Sequence, residues 1–492
     1  MGKRSSDVHS RGTHMNLGGN KETSESEARA PVCTRWTGGL ERTEGDFALA
    51  SVGDEMYSLV HGLYPICRSI TGDGLRQSLR LLGRIAPLTL HEIPSGTRVF
   101  DWEVPPEWNV RDAYVKDPQG RKVIDFQRSN LHLVSYSRPI HERMPLAELR
   151  KHLHSLPDKP DWIPYRTTYY NESWGFCLSE RALQGLADGE YEVYIDSSLA
   201  AGFLTYGECY LPGQSVEEVL VSCHCCHPSL CNDNLSGMAV SAFLARRVAA
   251  SPRRYSYRFL FIPGTIGSIA WLSLNEGRLS LVKHGLVVAC VGDGGQLTYK
   301  RSRRGNAEID RAVEHVLRHS GQAYKVEDFS PYGYDERQYC SPGIDLPVGS
   351  LTRTPHGCYP EYHTSADNLD LIRPEHLADS LAKYSAVFAV LEGNRRYLNT
   401  NPKCEPQLGR RGLYAAFGGR QNASRFELAL LWVLNLSDGS HSLLDVAERA
   451  GLDFTTVKTA ADALIGHGLL VECPPEPSPS DGEKSLRLGA RR

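Results

Sequence analysis

The sequence predicts an α/β protein built on a mixed, mainly parallel sheet that helices cover on both faces. Residues 257–262 and 286–291 are nearly continuous apolar runs, which is typical of strands buried on both sides. A third short apolar strand is predicted at 219–222, and residues 235–250 have the apolar spacing of a helix. Strands that alternate with helices in this order favour a parallel sheet.

Two further modules are predicted around this domain. Residues 100–194 are rich in aromatics, prolines and short alternating runs, which predicts an inserted β-rich domain. The α/β domain then comprises residues 46–99 and 195–397. Residues 408–473 contain three helical segments and a short strand after a Pro/Asn-rich linker, a pattern typical of a winged helix.

Both ends of the chain lack hydrophobic periodicity. Residues 1–45 are rich in Ser, Gly, Thr, Arg and Glu, which predicts a disordered leader. Residues 12–15, Gly-Thr-His-Met, have the look of a vector-derived junction. The Pro/Ser-rich residues 474–492 predict a disordered tail.

The composition excludes several classes of protein. A net charge of −3 over 492 residues gives no reason to expect a nucleic-acid or membrane-surface protein. No apolar stretch is long enough to span a bilayer, and no secretory signal opens the chain. The predicted location is therefore the cytoplasm, where the 13 cysteines are expected to be reduced.

The strongest chemical signal is the segment 222–237, which follows a strand and opens a helix. It contains His224, His227 and Asp233, and imidazole nitrogen and carboxylate oxygen are natural ligands of a catalytic zinc ion. Placement at the strand end favours His224 as the first ligand. A Cys/His-rich loop without metal is the alternative, and a nucleophilic Cys226 is less favoured. The cysteines do not form two Cys-x-x-Cys pairs, so a structural zinc knuckle is not expected.

Two later segments can complete the ligand set. Asp293 follows an apolar strand, although Asp-Gly sequences also form ordinary turns. His363 lies in the sequence Pro-Glu-Tyr-His-Thr-Ser, and Asp367 is expected to orient its ring.

The order of these motifs resembles that of the zinc-dependent aminopeptidase (Zn-exopeptidase) superfamily. The resemblance is closer to a bacterial family of aminopeptidase-like proteins found among polysaccharide and natural-product genes. It covers about residues 50–472 and rests on five motifs: Cys226-His-Pro-Ser, Asn232-Asp-Asn-Leu-Ser-Gly, Thr265-Ile-Gly-Ser-Ile, Gly333-Tyr-Asp-Glu-Arg-Gln and Pro360-Glu-Tyr-His-Thr-Ser. It implies a zinc cofactor, an inserted β-rich domain and a C-terminal winged helix. The Cys-His-Pro-Ser motif favours His227 as ligand, so both His224 and His227 are carried forward.

The sequence departs from this family at a catalytic position. The resemblance implies a glutamate at position 264, where this chain has Gly264. Glycine can neither accept a proton nor bind zinc, and loss of a general base costs about 10²–10⁴-fold in rate. Loss of that second ligand favours one zinc ion rather than two. Glu336 or Asp335 can replace the base, although a salt-bridged surface loop is an equal alternative for that segment.

Four residues are candidates for binding the substrate. Arg337 has the planar fork that matches a carboxylate. Tyr169, Tyr170 and Trp174 can line a cleft, although aromatic residues in such a segment more often form a core.

The sequence therefore predicts a zinc-dependent, aminopeptidase-like hydrolase. The expected substrate is a peptide, an aminoacyl amide or an acylated amino sugar. Gly264 keeps open the alternative of a catalytically degenerate protein that binds a ligand. Nucleic acid is not an expected partner, because the predicted helix 455–465 carries Lys458 as its one clear base. No membrane partner is expected, and a homo-oligomer is compatible with the sequence.

Overall fold

The computed structural model describes residues 46–414 and 424–474. The predicted leader 1–45, with its vector-like junction, and residues 475–492 of the predicted tail lie outside this part of the chain. The helices are α1 Asp46–Leu63, α2 Asp73–Leu82, α3 Leu146–Leu149, α4 Glu180–Gln184, α5 Gly237–Ala249, α6 Ile266–Leu274, α7 Glu308–Arg318, α8 Glu336–Tyr339, α9 Pro374–Gly393, α10 Arg425–Leu436, α11 Leu443–Ala450 and α12 Phe454–Gly466.

The strands form one large sheet and several small ones. They are β1 Thr89–Pro94, β2 Arg98–Val99, β3 Trp102–Glu103, β4 Glu107–Lys116, β5 Lys122–Asp125, β6 Ile140–Pro145, β7 Leu153–His154, β8 Phe176–Cys177, β9 Glu190–Ala200, β10 Phe203–Leu211, β11 Glu218–His224, β12 Ser256–Ile262, β13 Val282–Val288, β14 Leu297–Lys300, β15 Tyr324–Glu327, β16 Val348–Thr352, β17 Arg396–Asn399, β18 Asp438–Ser442 and β19 Leu470–Glu472.

The main sheet is mixed, and its centre is parallel, as predicted. Its eight strands lie in the order β1-β10-β12-β11-β13-β16-β14-β15. The central pairs β12–β11, β11–β13 and β13–β16 are parallel, whereas β1 and β10 extend one side in the antiparallel sense. The parallel strands therefore end at one common edge, which is where ligands bind in sheets of this kind.

The central strands are buried on both faces. Every residue of β11 and β12 is buried, and successive side chains enter two different cores. Val219 and Val221 pack with α1, α5 and α9, whereas Leu220 belongs to the core formed with α6 and the β-rich insert. This alternation explains why these strands have a continuous rather than alternating apolar sequence.

The β-rich segment forms its own four-stranded sheet in the order β5-β4-β9-β6. Its strand β9 runs from Glu190 to Ala200, so the predicted boundary at residue 194 falls inside a strand. One stretch of this segment also leaves its own sheet and pairs with the motif that contains His363. The amide of Tyr165 donates to the carbonyl of His363 over 2.8 Å, and the amide of Ser365 donates to that of Ile163.

The C-terminal domain has the predicted winged-helix arrangement. Helices α10, α11 and α12 pack on a three-stranded sheet in the order β18-β17-β19. Because β17 supplies the central strand, this domain begins near Arg396 rather than at the predicted residue 408. Arg311 of α7 joins it to the α/β domain, since its guanidinium pairs with Asp445 and Glu448 of α11. Among the described residues, none of the helices has the length and apolarity needed to cross a bilayer.

Candidate metal centre

The carboxyl ends of β11 and β12 bring two loops together. His224 is the last residue of β11 and is paired in register with Ile262, the last residue of β12. The loop with Asp233 leaves the first strand, and the loop with Gly264 leaves the second. His224 and Gly264, which are 40 positions apart in the sequence, thus meet at one edge of the sheet.

Asp233 is the centre of the cluster and is completely buried. Its Oδ1 lies 2.8 Å from Nε2 of His224, and its Oδ2 lies 3.0 Å from Nε2 of His363. The hydroxyl of Tyr334 donates to Oδ1 over 3.0 Å. Burial alone opposes ionisation of Asp233, but the surrounding histidines hold the pKa of its carboxyl well below the usual range. The carboxylate is therefore charged at neutral pH.

His227 approaches the same carboxylate from the other side of the loop. Its Nε2 lies 3.8 Å from Oδ2 of Asp233, and one ligand atom from each of His224, His227 and Asp233 lies within 4.8 Å of the others. Burial lowers the pKa of His227 to about 3, although Asp233 opposes this shift. The ring is thus neutral and has a lone pair to offer. The structure brings both predicted histidines to the site, and which of them binds a metal stays a prediction.

His363 reaches the cluster from the opposite side with a strained backbone. Its φ of +55° is uncommon for a residue with a side chain. The hydrogen bond from the amide of Tyr165 holds this conformation, and the ring of Tyr362 stacks on that of His363 with centroids 3.9 Å apart. Strain of this kind concentrates at functional sites.

Asp367 does not orient the ring of His363, contrary to the prediction. Its carboxylate instead accepts the backbone amides of Asn232 at 2.6 Å and of Asp233 at 3.0 Å, and the hydroxyl of Tyr359 at 3.1 Å. Burial raises the pKa of Asp367 to about 7, while these donors oppose the rise. The side chain therefore fixes the backbone that carries Asp233.

Asp293 is engaged elsewhere. The prediction placed it directly after a strand, but β13 ends at Val288, five residues earlier. Its carboxylate accepts the amides of Gly295 and Thr354, each at 3.3 Å, and the hydroxyl of Thr354. These contacts hold it outside the group of three ligands described above.

Gly264 lies between His224 and Asp335, where a larger side chain would be tight against His224. A Cβ at position 264 would lie 3.1 Å from Cβ of His224 and 3.6 and 3.7 Å from the two carboxylate oxygens of Asp335. Asp335 is 1% exposed, its Oδ1 accepts the hydroxyl of Ser268 over 2.9 Å, and its Oδ2 has no partner among the described residues. Burial raises the pKa of Asp335 to about 6, and His224 and Ser268 limit the rise.

The next two residues also carry unsatisfied polar atoms. Oε1 of Glu336 accepts Nζ of Lys300 over 2.8 Å, whereas its buried Oε2 has no partner in the described part of the chain. Nε of Arg337 is likewise buried without a partner there. Buried polar atoms are nearly always satisfied, so these atoms are available to a bound molecule.

Tyr334 and Arg68 contribute to the site but were not singled out from the sequence. The ring of Tyr334 stacks on that of His224 with centroids 4.6 Å apart. Arg68 is fully buried, and its Nε donates to the carbonyl of His227 over 3.0 Å. The signal for Tyr334 was its place in the Gly333–Gln338 motif, and the signal for Arg68 was a charged residue inside an otherwise apolar stretch.

The aromatic candidates differ in what they contact. Tyr165, which packs against His227 and His363 at centroid distances of 5.2 Å, shares a 2.8 Å hydrogen bond with the hydroxyl of Tyr169. Tyr170 is 50% exposed and packs edge-on against Trp102. Trp174 stacks on His152 inside the core of the insert, which makes it a packing residue.

The donor set fits a zinc ion. The imidazoles of His224 and His227 and the charged carboxylate of Asp233 converge, and the imidazole of His363 reaches the same carboxylate. Three protein ligands with an open position are typical of catalytic zinc. A cysteine nucleophile does not fit, because burial raises the pKa of the Cys226 thiol to about 12 and keeps it protonated.

Comparison with known proteins identifies the family. A model described as a domain of unknown function (DUF4910) matches residues 57–394, and a winged helix-turn-helix model matches residues 395–472. The chain belongs to the DUF4910 family. It is 54% identical over 421 residues to a protein of Clostridium acetobutylicum, whose name assigns it provisionally to polysaccharide biosynthesis and gives it an aminopeptidase-like domain. That match covers 86% of this chain and 97% of the relative.

Solved structures show the same fold. A crystal structure from Clostridium acetobutylicum, provisionally described as a peptidase, is 52% identical with a TM-score of 0.83, and the match covers 86% of this chain and 97% of that one. The zinc aminopeptidase BSAP of Bacillus subtilis is 12% identical with a TM-score of 0.51 over 68% of this chain and 94% of its own. This DUF4910 member therefore has an aminopeptidase-like α/β fold followed by a winged helix.

Proposed function

We propose that this DUF4910 protein is a zinc-dependent hydrolase that cleaves an amide bond. The observation that carries the proposal is the buried carboxylate of Asp233, with a histidine nitrogen within 3.0 Å of each of its two oxygens and His227 beside them. The aminopeptidase-like fold supports a peptide or an aminoacyl amide as substrate. The name of the Clostridium relative supports an acylated amino sugar as a further class.

His224, His227 and Asp233 are the proposed ligands of one zinc ion, with His363 beside them as the alternative histidine ligand. A zinc ion bound there supplies Lewis-acid polarisation of the substrate carbonyl and lowers the pKa of water. Arg68 and Asp367 hold the ligand loop in place through the His227 carbonyl and the Asp233 amide. Tyr334 keeps the ring of His224 oriented by stacking.

Asp335 is the proposed general base in place of the family's glutamate. Its carboxylate oxygens lie 3.6 and 3.7 Å from where a Cβ at position 264 would be, beside His224, and one of them is unpartnered among the described residues. A carboxyl with a pKa near 6 is suited to accept a proton at neutral pH. Nε of Arg337 is available nearby in the sequence to hold a substrate carboxylate.

The second candidate function is ligand binding without turnover, and Gly264 favours it. A chain that keeps its metal ligands but lacks its base can retain affinity for the former substrate. The two candidates share the metal centre and differ only in whether Asp335 completes the chemistry.

The experiment is to measure zinc content and turnover of the full chain together. We expect one zinc ion at this centre and metal-dependent release of product from a panel of aminoacyl amides, short peptides and N-acylated amino sugars. Asp233→Asn should abolish zinc binding at this centre and also turnover, because it removes the negative charge that the histidines surround. Asp293→Asn is the matched control and should leave both unchanged, since that carboxylate serves Thr354 and Gly295.

The outcomes separate the candidates. Zinc binding that depends on Asp233, with no turnover of any substrate, would remove the hydrolase and leave the ligand-binding protein. Failure to bind zinc would contradict both the hydrolase and the ligand-binding proposal.

A further inference from the structure

The β-rich insert contacts two separate loops that carry histidines of the metal centre. One loop leaves β11 and contains His227, and the other lies between β16 and α9 and contains His363. These loops are far apart in the sequence, so their relative position depends on what packs against both of them. Residues 130–131 and 163–165 of the insert supply such contacts.

The contact with the His363 loop is a short pairing of main chains. The amide of Ser365 donates to the carbonyl of Ile163 over 2.8 Å, and the amide of Ile163 donates to Oγ of Ser365 over 2.9 Å. The amide of Tyr165 donates to the carbonyl of His363 over 2.8 Å. The insert therefore binds the backbone on both sides of residue 364 and holds His363 in its left-handed conformation.

The contact with the His227 loop is made by side chains. Nδ2 of Asn130 donates to Oγ of Ser229 over 2.8 Å. One residue further along each segment, Leu131 and Leu230 are buried together with Tyr165 in a small core of their own. The same part of the insert thus contacts the loop that carries His227 and the loop that carries His363.

Tyr165 is the residue that lies against both histidines. Its ring centroid is 5.2 Å from that of His227 and 5.2 Å from that of His363, and the two imidazole centroids are 5.1 Å apart. The three rings therefore form a nearly equilateral triangle. Tyr165 is 4% exposed, and its hydroxyl is hydrogen-bonded to that of Tyr169. Contact with the histidines is consequently made by the aromatic ring.

We infer that Tyr165 is a positioning residue that fixes His227 and His363 relative to each other, which makes the β-rich insert a required part of the metal centre. The inference rests on the proposed function, because it takes this centre as the zinc site. Ligands that packing already holds in place lose less conformational freedom when the ion binds, so affinity is higher. The hydroxyl is not needed for this effect.

The test compares zinc binding by the full chain and by two variants, measured in competition with a chromophoric chelator. Tyr165→Leu removes the ring, and we expect zinc affinity to fall by about 10–100-fold, as for other groups that orient a ligand. Tyr165→Phe keeps the ring and should restore the affinity of the parent chain. Visible absorption of the chains loaded with Co²⁺ depends on ligand geometry, so it should change in Tyr165→Leu and not in Tyr165→Phe.

Tyr191→Leu is the matched control for loss of a buried tyrosine from the insert. Tyr191 is 1% exposed on β9, and its hydroxyl donates to the carbonyl of Ala187 over 2.7 Å. The control should lower the free energy of unfolding without changing zinc affinity or the cobalt spectrum. An equal loss of zinc affinity in Tyr191→Leu would overturn the inference, because it would show a general effect of stability. Equal losses in Tyr165→Phe and Tyr165→Leu would also overturn it, since the hydroxyl would then be the group that matters.

Ser365→Ala tests the same connection with a smaller change, in case Tyr165→Leu does not fold. It removes the acceptor of the Ile163 amide, and zinc affinity should fall by about 2–10-fold, the usual effect of one hydrogen bond. Unchanged zinc affinity in every folded variant of Tyr165 and Ser365, with zinc bound by the parent chain, would overturn this inference alone. A parent chain that binds no zinc would overturn the proposed function as well, and a parent chain that binds zinc without turnover would leave this inference intact.

Discussion

The two sides of the metal centre differ in how completely their carboxylates are satisfied. On the ligand side, both oxygens of Asp233 have partners, and the carboxylate of Asp367 accepts the amides of Asn232 and Asp233. The unpartnered buried atoms on this side belong to other groups, Nδ2 of Asn232 and Nη2 of Arg68, in the described part of the chain. On the opposite side, three consecutive residues each have a buried polar atom without a partner in the described part of the chain: Asp335, Glu336 and Arg337.

This contrast distinguishes the groups that the fold holds in one position from the groups that are available to bind a ligand. Satisfied groups such as Asp233 stay in one position without help from a ligand, which is what a metal site requires. Unsatisfied buried groups cost stability of about 1–3 kcal/mol each, so a bound molecule that satisfies them gains affinity. The comparison predicts that substitutions on the two sides affect different measurements.

The largest expected effect is on the unsatisfied side. Asp335→Asn keeps the shape of the side chain and its contact with Ser268 but cannot accept a proton. We expect kcat to fall by about 10²–10⁴-fold, the usual loss for a general base, with zinc content unchanged. Steady-state kinetics and metal analysis of the same sample measure the two quantities.

Glu336→Gln is the control for that experiment, because Glu336 is the neighbouring carboxylate and Lys300 already neutralises it. Its kcat should stay within a small factor of the parent chain. If Glu336→Gln lost as much activity and Asp335→Asn lost none, the base would be Glu336.

A smaller effect is expected on stability against pH. The folded-state pKa of Asp335 is about 6, above its ordinary value of 3.8, because burial disfavours the charged form. The folded chain therefore holds its proton more tightly, and stability falls as pH rises from about 4 to 6. Asp335→Asn removes this loss. After treatment with a chelator, the free energy of unfolding of the variant should therefore exceed that of the parent chain by up to about 3 kcal/mol at pH 8.

Urea unfolding of both chains at pH 4 and pH 8 measures that difference. The advantage of the variant should be present at pH 8 and largely absent at pH 4. An advantage of equal size at both values would show that Asp335 is not the titrating group.

On the ligand side, Arg68 permits a test of positioning. Arg68→Met keeps a long side chain but loses the donor to the His227 carbonyl. We expect zinc affinity at the Asp233 centre to fall by about 10–100-fold, as for other outer-shell partners. Arg68→Lys should recover part of the loss if the hydrogen bond matters, whereas equal loss in both variants would indicate a packing role.

Much of the fold followed from local sequence. The continuous apolar runs of β11 and β12 and the helix α5 indicated a buried parallel sheet, because burial on both faces leaves no alternation. The strand β13 was less well bounded, since the apolar sequence continues to Val291 after the strand ends at Val288. Asp293 consequently was expected at the strand end and lies five residues beyond it.

The site was predictable where one loop supplied its groups and not where distant segments met. His224, His227 and Asp233 lie within ten residues, so their spacing indicated a common role. Arg68 reaches the His227 carbonyl across 159 positions, and Tyr334 reaches Asp233 across 101. Nothing local marks such contacts, and the function of Asp367 also depended on which amides the fold brought near it.

The smallest expected effect is that of placing a glutamate at position 264. In Gly264→Glu the new Cβ would lie 3.1 Å from that of His224 and 3.6 Å from the nearer carboxylate oxygen of Asp335, so we expect the new carboxylate to lie near that of Asp335. Two carboxylates this close cannot both ionise easily, so one base is gained at the expense of the other. We expect activity to change by no more than about threefold, less than 1 kcal/mol of barrier.

The same substitution should behave differently in the Asp335→Asn background. There the new glutamate meets a neutral amide, and we expect it to recover at least about tenfold in kcat, or 1.4 kcal/mol of barrier. Recovery only in this background would show that Gly264 and Asp335 are alternative positions for one base. A large gain from Gly264→Glu alone would instead mean that the parent chain lacks a working base and binds its ligand without turning it over.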